Sequence, residues 1–193
     1  MRRIRKGSDM LFSLVWRNKK RVFLVFVALF ILSIFGDIII PAAIILALGT
    51  AASFSTSYKR VIRMPPAIEL VTFTTIIVSL AYGPIIGAVF AGIVTLTAEI
   101  MTNALDIFII SFVPSRIIIA LTAGFFFNMF DGNIFLTGVA STILYNNLAQ
   151  PFYLFLADVQ MRAKSFFFVF LNIGTNFIFF TVLGPLLVKL LGI

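Results

Sequence analysis

From Val22 to Ile193 the chain consists of long apolar runs that only short polar segments interrupt. Hydrophobic residues make up 61% of the sequence and charged residues 11%, which is too little charge for the exterior of a water-soluble domain. A helix that crosses about 30 Å of hydrocarbon needs about 20 mostly apolar residues. The sequence therefore predicts an all-α fold. We expect a polytopic membrane helical bundle of six to seven transmembrane helices in residues 22–193, preceded by a basic tail or interfacial helix in residues 1–21.

Composition excludes several classes of function. The formal net charge is +8, but the basic residues flank apolar runs, which indicates anionic lipid headgroups and membrane orientation instead of nucleic acid. Cys and His are both absent, so disulfides, thiolate chemistry and His-based metal or acid–base sites are excluded. The chain has neither a phosphate-binding loop motif nor a His-Glu-x-x-His motif. We expect a multi-pass protein of the cell membrane that is not an enzyme and uses no cofactor or metal.

Helix boundaries follow from the polar and Pro/Gly interruptions. Gly36-Asp37 and Pro41 divide the first apolar stretch, which predicts two helices at about 20–36 and 41–57. The later helices are predicted at about 67–82, 84–103, 116–128, 134–157 and 165–191.

The distribution of Lys and Arg tests this division. Seven crossings place 14 of the 15 basic residues on one side of the membrane, whereas a single crossing at 22–54 divides them nine against six. The positive-inside rule therefore favours seven crossings, with the N-terminus and Lys59 in the cytoplasm and the 129–133 turn and the C-terminus outside.

Small residues recur every four positions in two places. Ala43, Ala47 and Ala51 form one row, and Gly83, Gly87 and Ala91 form another. Small side chains at this spacing let two helices approach closely. Packing within the chain accounts for the glycine row, and the alanine row is open to internal packing or to a partner protein.

Ionisable groups are rare in the apolar part. Glu99, Asn103 and Asp106 share a helical face if their helix continues, and Arg116 follows after a short link. This arrangement indicates either a neutralised structural pair or a contact with a ligand or partner at the rim of a cavity. Glu69 stands near a helix start, where the helix dipole favours a carboxylate.

Amide side chains are concentrated in the last two predicted long helices. Hydrogen bonds between helices explain such residues, and so does a neutral pocket with many hydrogen-bond donors, suited to a heterocyclic or polyol ligand. The candidate substrate-binding residues are Glu99, Asn103, Arg116, Asn146, Asn147, Gln150, Tyr153, Asn172 and Asn176.

One known family shares several of these motifs. The stretch from Pro65-Pro66 through Tyr82-Gly83-Pro84-Ile85-Ile86-Gly87-Ala88 resembles the S component, the substrate-binding subunit, of energy-coupling-factor vitamin transporters. The helix with Asn146, Asn147, Pro151 and Tyr153 is similar to that of the riboflavin-type members. A final Asn-bearing helix matches Asn172 and Asn176, so the resemblance covers about 65–192.

The resemblance implies a six-helix bundle that binds a vitamin or similar micronutrient near its extracellular side. It also implies docking, through an alanine row such as Ala43, Ala47 and Ala51, onto a membrane T component driven by an ATPase pair in separate chains. The family places the Gly-Pro turn in the cytoplasm, whereas the charge count puts Tyr82-Gly83-Pro84 outside. Rod-shape-determining membrane proteins are similar in size and pattern, and they imply a scaffold for cell-wall enzymes as the alternative.

Overall fold

The computed structural model describes residues 18–60, 67–103, 105 and 107–193. Over these ranges every regular element is a helix. The long helices are α1 (Lys19–Ser55), α3 (Pro84–Met101), α4 (Ile109–Met129), α5 (Ile134–Leu156) and α6 (Val159–Val182), and the shorter ones are α2 (Val71–Tyr82) and α7 (Gly184–Leu191). A 3₁₀ turn covers Ser57–Arg60. The predicted tail or interfacial helix at 1–21 lies almost entirely outside the described residues.

Four stretches in the described ranges are long and apolar enough to cross a membrane. They are Ile34–Lys59, Pro84–Met101, Ile109–Met129 and Val159–Val182. The all-helical architecture and these stretches make the chain a membrane protein, as its composition predicts. The amides and Pro151 lower the hydropathy of α5, which has the length of a crossing without the same apolar character.

The predicted division of the first apolar stretch is wrong. Residues 19–55 form one helix with Pro41 inside it, where we expected helices at 20–36 and 41–57. Proline removes one backbone hydrogen bond but does not end a helix when the neighbouring turns remain intact.

Several boundaries differ from the prediction for local reasons. Asp158 accepts a hydrogen bond from the backbone N–H of Met161 at 2.7 Å, so α6 begins at Val159 and not at 165. The predicted final helix also ends earlier, at Val182, and Gly184-Pro185 starts α7. In α4 the helix begins at Ile109, seven residues before the predicted start, and continues through Pro114.

The chain divides into two compact units, Met1–Ile44 and Ile45–Ile193. In the described part of the first unit, Lys19–Ile44 is helical and exposes large apolar side chains such as Phe30 and Ile38. Helices α2 to α7 belong to the second unit. There, α3 packs against α2 and α4, and α5 packs against α4 and α6.

A tight turn joins α2 and α3. Gly83 has a φ of +98°, which disfavours residues with a Cβ, and Pro84 follows at the first position of α3. One turn later, a Cβ on Gly87 would overlap Ser79 of α2. Gly87 and the fully buried Ala91 thus pack within the chain, whereas Gly83 has no heavy atom within 4 Å of an added Cβ.

The second unit has two ends. We call the end with residues 56–60, 67–70, 102–103 and 107–108 the Lys59 end, and the end with Gly83 and residues 130–133 the Gly83 end. At the Lys59 end, Lys59 contacts Glu99 near the C-terminus of α3. At the Gly83 end, Gly184 lies against Ile134.

Candidate functional site

A buried ion pair lies inside the second unit. Nη2 of Arg116 in α4 is 3.4 Å from Oε1 of Glu69, and the two side chains are 1% and 0% exposed. Glu69 also caps α2, because its Oε2 accepts from the backbone N–H of Thr72 at 3.0 Å and its Oε1 accepts from the Thr72 hydroxyl. The expected role of Glu69 at a helix start is present, and the pairing with Arg116 is an addition that the sequence did not predict.

Besides Glu69, three helices contribute to the surroundings of Arg116. Its Nη1 donates to Oγ1 of Thr95 in α3 at 3.4 Å. The guanidinium carbon lies 4.9 Å from the ring centroid of Tyr145 in α5 and 5.9 Å from that of Phe112 in α4. Aromatic faces at these distances attract a cation. The positive charge is therefore held by one carboxylate and two rings in the interior.

The two amide groups predicted on α5 and α6 meet directly. Nδ2 of Asn146 donates to Oδ1 of Asn172 at 3.0 Å. Nδ2 of Asn172 in turn approaches Oε1 of Glu69 at 3.5 Å, and Nδ2 of Asn176 donates to the backbone oxygen of Asn172 at 3.0 Å. The amides are therefore connected by hydrogen bonds to the ion pair through Glu69. We name the connected set the interior network: Glu69, Arg116, Tyr145, Asn146, Asn172 and Asn176.

Many buried polar atoms in this part of the unit have no hydrogen-bond partner among the described residues. A buried polar group left without a partner costs about 1–3 kcal/mol. Eight such atoms occur in the described ranges, and each calls for an explanation. They are Thr75 Oγ1, Arg116 Nε and Nη2, Ser141 Oγ, Tyr145 OH, Asn146 Oδ1, Gln150 Oε1 and Asn176 Oδ1. Of these, Arg116 Nη2 makes no hydrogen bond but still lies in the ion pair with Glu69.

The amides that we expected to line a neutral, donor-rich pocket bond to one another, to Glu69 and to backbone oxygens. The amide nitrogens of Asn146, Asn172 and Asn176 are occupied within the network, and the oxygens of Asn146 and Asn176 are the unpartnered atoms. The unpartnered donors belong to Arg116 and to hydroxyl groups. The network combines an ion pair, amide acceptors and hydroxyl groups.

Glu99 takes part in a second buried ion pair, at the Lys59 end. Both of its carboxylate oxygens accept from Nζ of Lys59, at 2.7 and 2.6 Å. The predicted shared face of Glu99 and Asn103 is absent because α3 ends at Met101, and Asn103 is exposed with a φ of +52°. Asp106 lies outside the described residues.

Tyr153 belongs to an aromatic cluster near the same end. Its ring stacks on Phe108 with centroids 4.2 Å apart and planes 14° from parallel, and Phe112 lies 5.9 Å away. Phe112 also lies beside Arg116, so the cluster adjoins the interior network.

Gln150 and Asn147 line a cleft between α5 and α6, which we name the lateral cleft. Its volume is about 220 Å³. Nε2 of Gln150 donates to Oγ of Ser165 at 3.0 Å, and Asn147 is exposed. The lining residues are Ile143, Asn146, Asn147, Gln150, Phe166, Val169, Phe170 and Ile173.

The alanine row is exposed within this chain. Ala43, Ala47 and Ala51 all lie on the exposed face of α1. A separate apolar groove of about 500 Å³ lies between the part of α1 from Ile45 to Phe54 and the outer face of α3, from Ile85 to Met101.

Sequence reasoning missed Tyr145, Ser141 and Thr75 as members of the polar interior. Ser141 and Tyr145 stand four residues apart in α5, next to Asn146, and all three are buried. That spacing is the signal that could have found them. In the described ranges no three His, Cys, Asp or Glu side chains come together as a metal site.

The chain was also compared with known proteins. No protein-family model, curated protein or solved structure matches it significantly.

Proposed function

We propose that this chain is the membrane-embedded substrate-binding subunit of an energy-coupling-factor-type importer and captures a vitamin or similar micronutrient. The observation that carries the proposal is the interior network with its unpartnered donors and acceptors. In hydrocarbon such atoms are costly, and functional sites are where membrane proteins retain them. In this proposal α1 to α6 form the membrane-embedded bundle of the subunit, which has no catalytic role of its own.

The chemistry of the network supports a class of solute. Arg116 and the hydroxyl groups offer donors, while the oxygens of Asn146 and Asn176 accept. Glu69 already balances the charge of Arg116, so the interior stays electrically neutral when a neutral solute binds. A polar heterocycle with both N–H and C=O groups, as in a riboflavin-like ligand, matches this set.

Energy coupling in this proposal comes from other chains. A membrane T component would dock on the alanine row of α1, where Ala47 and its neighbours are exposed. Small side chains permit the close helix approach that such docking needs. An ATPase pair in separate chains would drive transport.

A binding screen tests this function. The purified protein in lipid nanodiscs is dialysed against single labelled vitamins and nucleobases, and retention is measured. We expect one compound to bind. Asn176→Leu should weaken it by about 1–3 kcal/mol, the cost of a lost buried hydrogen-bonding partner.

Asn147→Leu is the matched control, because Asn147 is exposed on the lateral cleft. It should leave the affinity for the solute unchanged. If circular dichroism shows that the protein is folded and no compound is retained above background, the result would count against solute capture.

A scaffold of the rod-shape-determining type is the second candidate. The observation that favours it is that Glu69 and Glu99, the two buried carboxylates among the described residues, already have a cation partner within the chain. An interior that is neutral without a ligand suits a structural role. Co-purification with cell-wall enzymes, and no bound solute, would support the scaffold.

A further inference from the structure

We propose that the first turn of α6 and the lateral cleft together bind one anionic phospholipid, with its phosphate on the guanidinium of Arg162 and one acyl chain in the cleft. The proposal does not depend on the function proposed above, and it requires no hydrogen bond from the interior network. It stands on the orientation of Arg162, on its place on the helix face that lines the cleft, and on the apolar rim of the cleft.

A hydrogen bond orients the guanidinium of Arg162. Its Nε donates at 2.9 Å to the backbone oxygen of Ala157, the residue that follows α5. The residue is exposed, and its Nη1 and Nη2 groups make no hydrogen bond or ion pair in the described ranges. Asp158 stands four residues earlier, but its carboxylate caps α6 by accepting from Met161. The two remaining nitrogens of the guanidinium suit two oxygens of a phosphate.

Arg162 shares its helix face with the α6 residues that line the cleft. Phe166 and Phe170 follow it by four and eight positions, the spacing of one face of an α-helix. Ser165 connects the two helices here, because its Oγ accepts from Gln150 in the lining and donates to the backbone oxygen of Arg162. Arg162 therefore stands one helical turn, about 5.4 Å along the axis, beyond Phe166.

The depth of Arg162 in the membrane suits a lipid headgroup. Helix α6 is one of the stretches long and apolar enough to cross a membrane, and Arg162 lies at its start. Arginine side chains at such helix ends extend to the headgroup region, where they meet phosphates. In a phospholipid the glycerol separates the phosphate from the acyl chains. A phosphate on Arg162 therefore brings one acyl chain to the cleft one turn away.

The lining of the cleft fits an acyl chain. None of the described residues that line it is charged, and its volume is about 220 Å³. Ile143, Phe166 and Phe170 at the rim are 43%, 53% and 74% exposed. An apolar rim on a membrane-spanning helix faces the bilayer, so the chain enters from the side. A zwitterionic head would bring its ammonium group close to the guanidinium, which favours an anionic phospholipid such as phosphatidylglycerol.

Photolabelling tests the proposal. The full-length protein is placed in phosphatidylcholine nanodiscs with a small fraction of phosphatidylglycerol that carries a diazirine in one acyl chain, and label on α5 and α6 is quantified by mass spectrometry. Unlabelled phosphatidylglycerol should compete, whereas the same amount of added phosphatidylcholine should not. Inorganic phosphate should not compete either, because the acyl chain supplies much of the binding. Competition by inorganic phosphate, or equal competition by both lipids, would overturn the proposal.

Two charge variants test the role of Arg162. Arg162→Gln removes the proposed phosphate ligand and should lower the competed label by roughly 10-fold, as for one hydrogen bond to a charged group. Lys164→Gln is the matched control, because it removes the same charge from an exposed position two residues further along, on the opposite side of α6. It should change nothing. Equal losses in the two variants would mean attraction by surface charge alone and would overturn the site.

Two bulky variants test the cleft. Ile173→Trp fills the cleft and leaves Arg162 in place, so it should abolish the competed label on α5 and α6. Ile178→Trp adds the same bulk at a 59% exposed position outside the lining and should change nothing. Competed labelling of Ile173→Trp or of Arg162→Gln at the level of the wild type would overturn the proposal.

Discussion

Arg116 and Glu69 lie 3.4 Å apart in the interior, and their side chains are 1% and 0% exposed. The pair joins α4 to the start of α2, and Asn172 links it to α6. A buried charge without its partner is strongly unfavourable, typically by about 3–5 kcal/mol. The pair is therefore the part of the interior in which a single substitution should matter most for stability.

The first prediction concerns this pair. Glu69→Gln or Arg116→Gln alone should destabilise the folded protein by about 3–5 kcal/mol, because each leaves one charge buried and unpaired. The combined variant Glu69→Gln/Arg116→Gln should be less destabilised than the sum of the two. The free energy of unfolding in detergent, measured with a denaturant series, checks this. Strict additivity in the double-mutant cycle would mean that the two side chains do not interact.

The second prediction concerns Lys59 and Glu99. Both oxygens of Glu99 accept from the ammonium group, so Lys59→Met should destabilise the Lys59 end by leaving a buried carboxylate unpaired. The exchanged variant Lys59→Glu/Glu99→Lys should recover part of the loss. Hydrogen exchange of the amides at the end of α3 is the measurement. Protection that is equal in Lys59→Met and wild type would contradict a stabilising role for this pair.

The third prediction concerns orientation. If α1 crosses the membrane once, nine basic residues lie on the side of the N-terminus and six on the other side. Arg116 is one of the six but is buried in the interior, which leaves five basic residues on that side. This division favours a cytoplasmic N-terminus and an extracellular Lys59 end. It reverses the orientation that seven crossings predict.

Cysteine labelling in intact cells measures that orientation. Ile68→Cys at the Lys59 end, 56% exposed, should react with a membrane-impermeant thiol reagent added outside, and Asn128→Cys at the Gly83 end should not. Both positions avoid the ion pairs and the positive-φ residues Asp131 and Gly132. The chain has no natural cysteine. Labelling of Asn128→Cys alone would restore the orientation predicted from seven crossings.

The fourth prediction concerns the alanine row. Ala47→Trp should abolish co-purification with a membrane partner, because a bulky side chain prevents close helix approach. Ala42→Trp, on a neighbouring exposed position of α1, is the matched control. Solute binding should be the same in both variants. Retention of the partner by Ala47→Trp would exclude the row as a docking surface.

The sequence predicted the helical membrane architecture and most helix positions because apolar run length and Pro/Gly punctuation act locally. The predicted and observed ends of α5, 134–157 and 134–156, illustrate this. The prediction of a helix break at Pro41 failed, because composition does not tell whether the turns around a proline stay helical. It also placed Glu69 only as a helix cap, because its pairing with Arg116 spans 47 positions and depends on packing.

The central claim is that the polar interior admits a water-soluble molecule, and one measurement tests it without knowledge of the solute. Ser141 is fully buried next to Tyr145, and its hydroxyl has no partner in the described part of the chain. Ser141→Cys should react with a small hydrophilic methanethiosulfonate reagent in membranes, because reaction needs water to form the thiolate. Ile178→Cys, on the exposed apolar face of α6, should react far more slowly. Faster labelling at Ser141 is the result that solute access predicts. Labelling of Ser141→Cys no faster than that of Ile178→Cys would mean that water does not reach the interior and would contradict the claim.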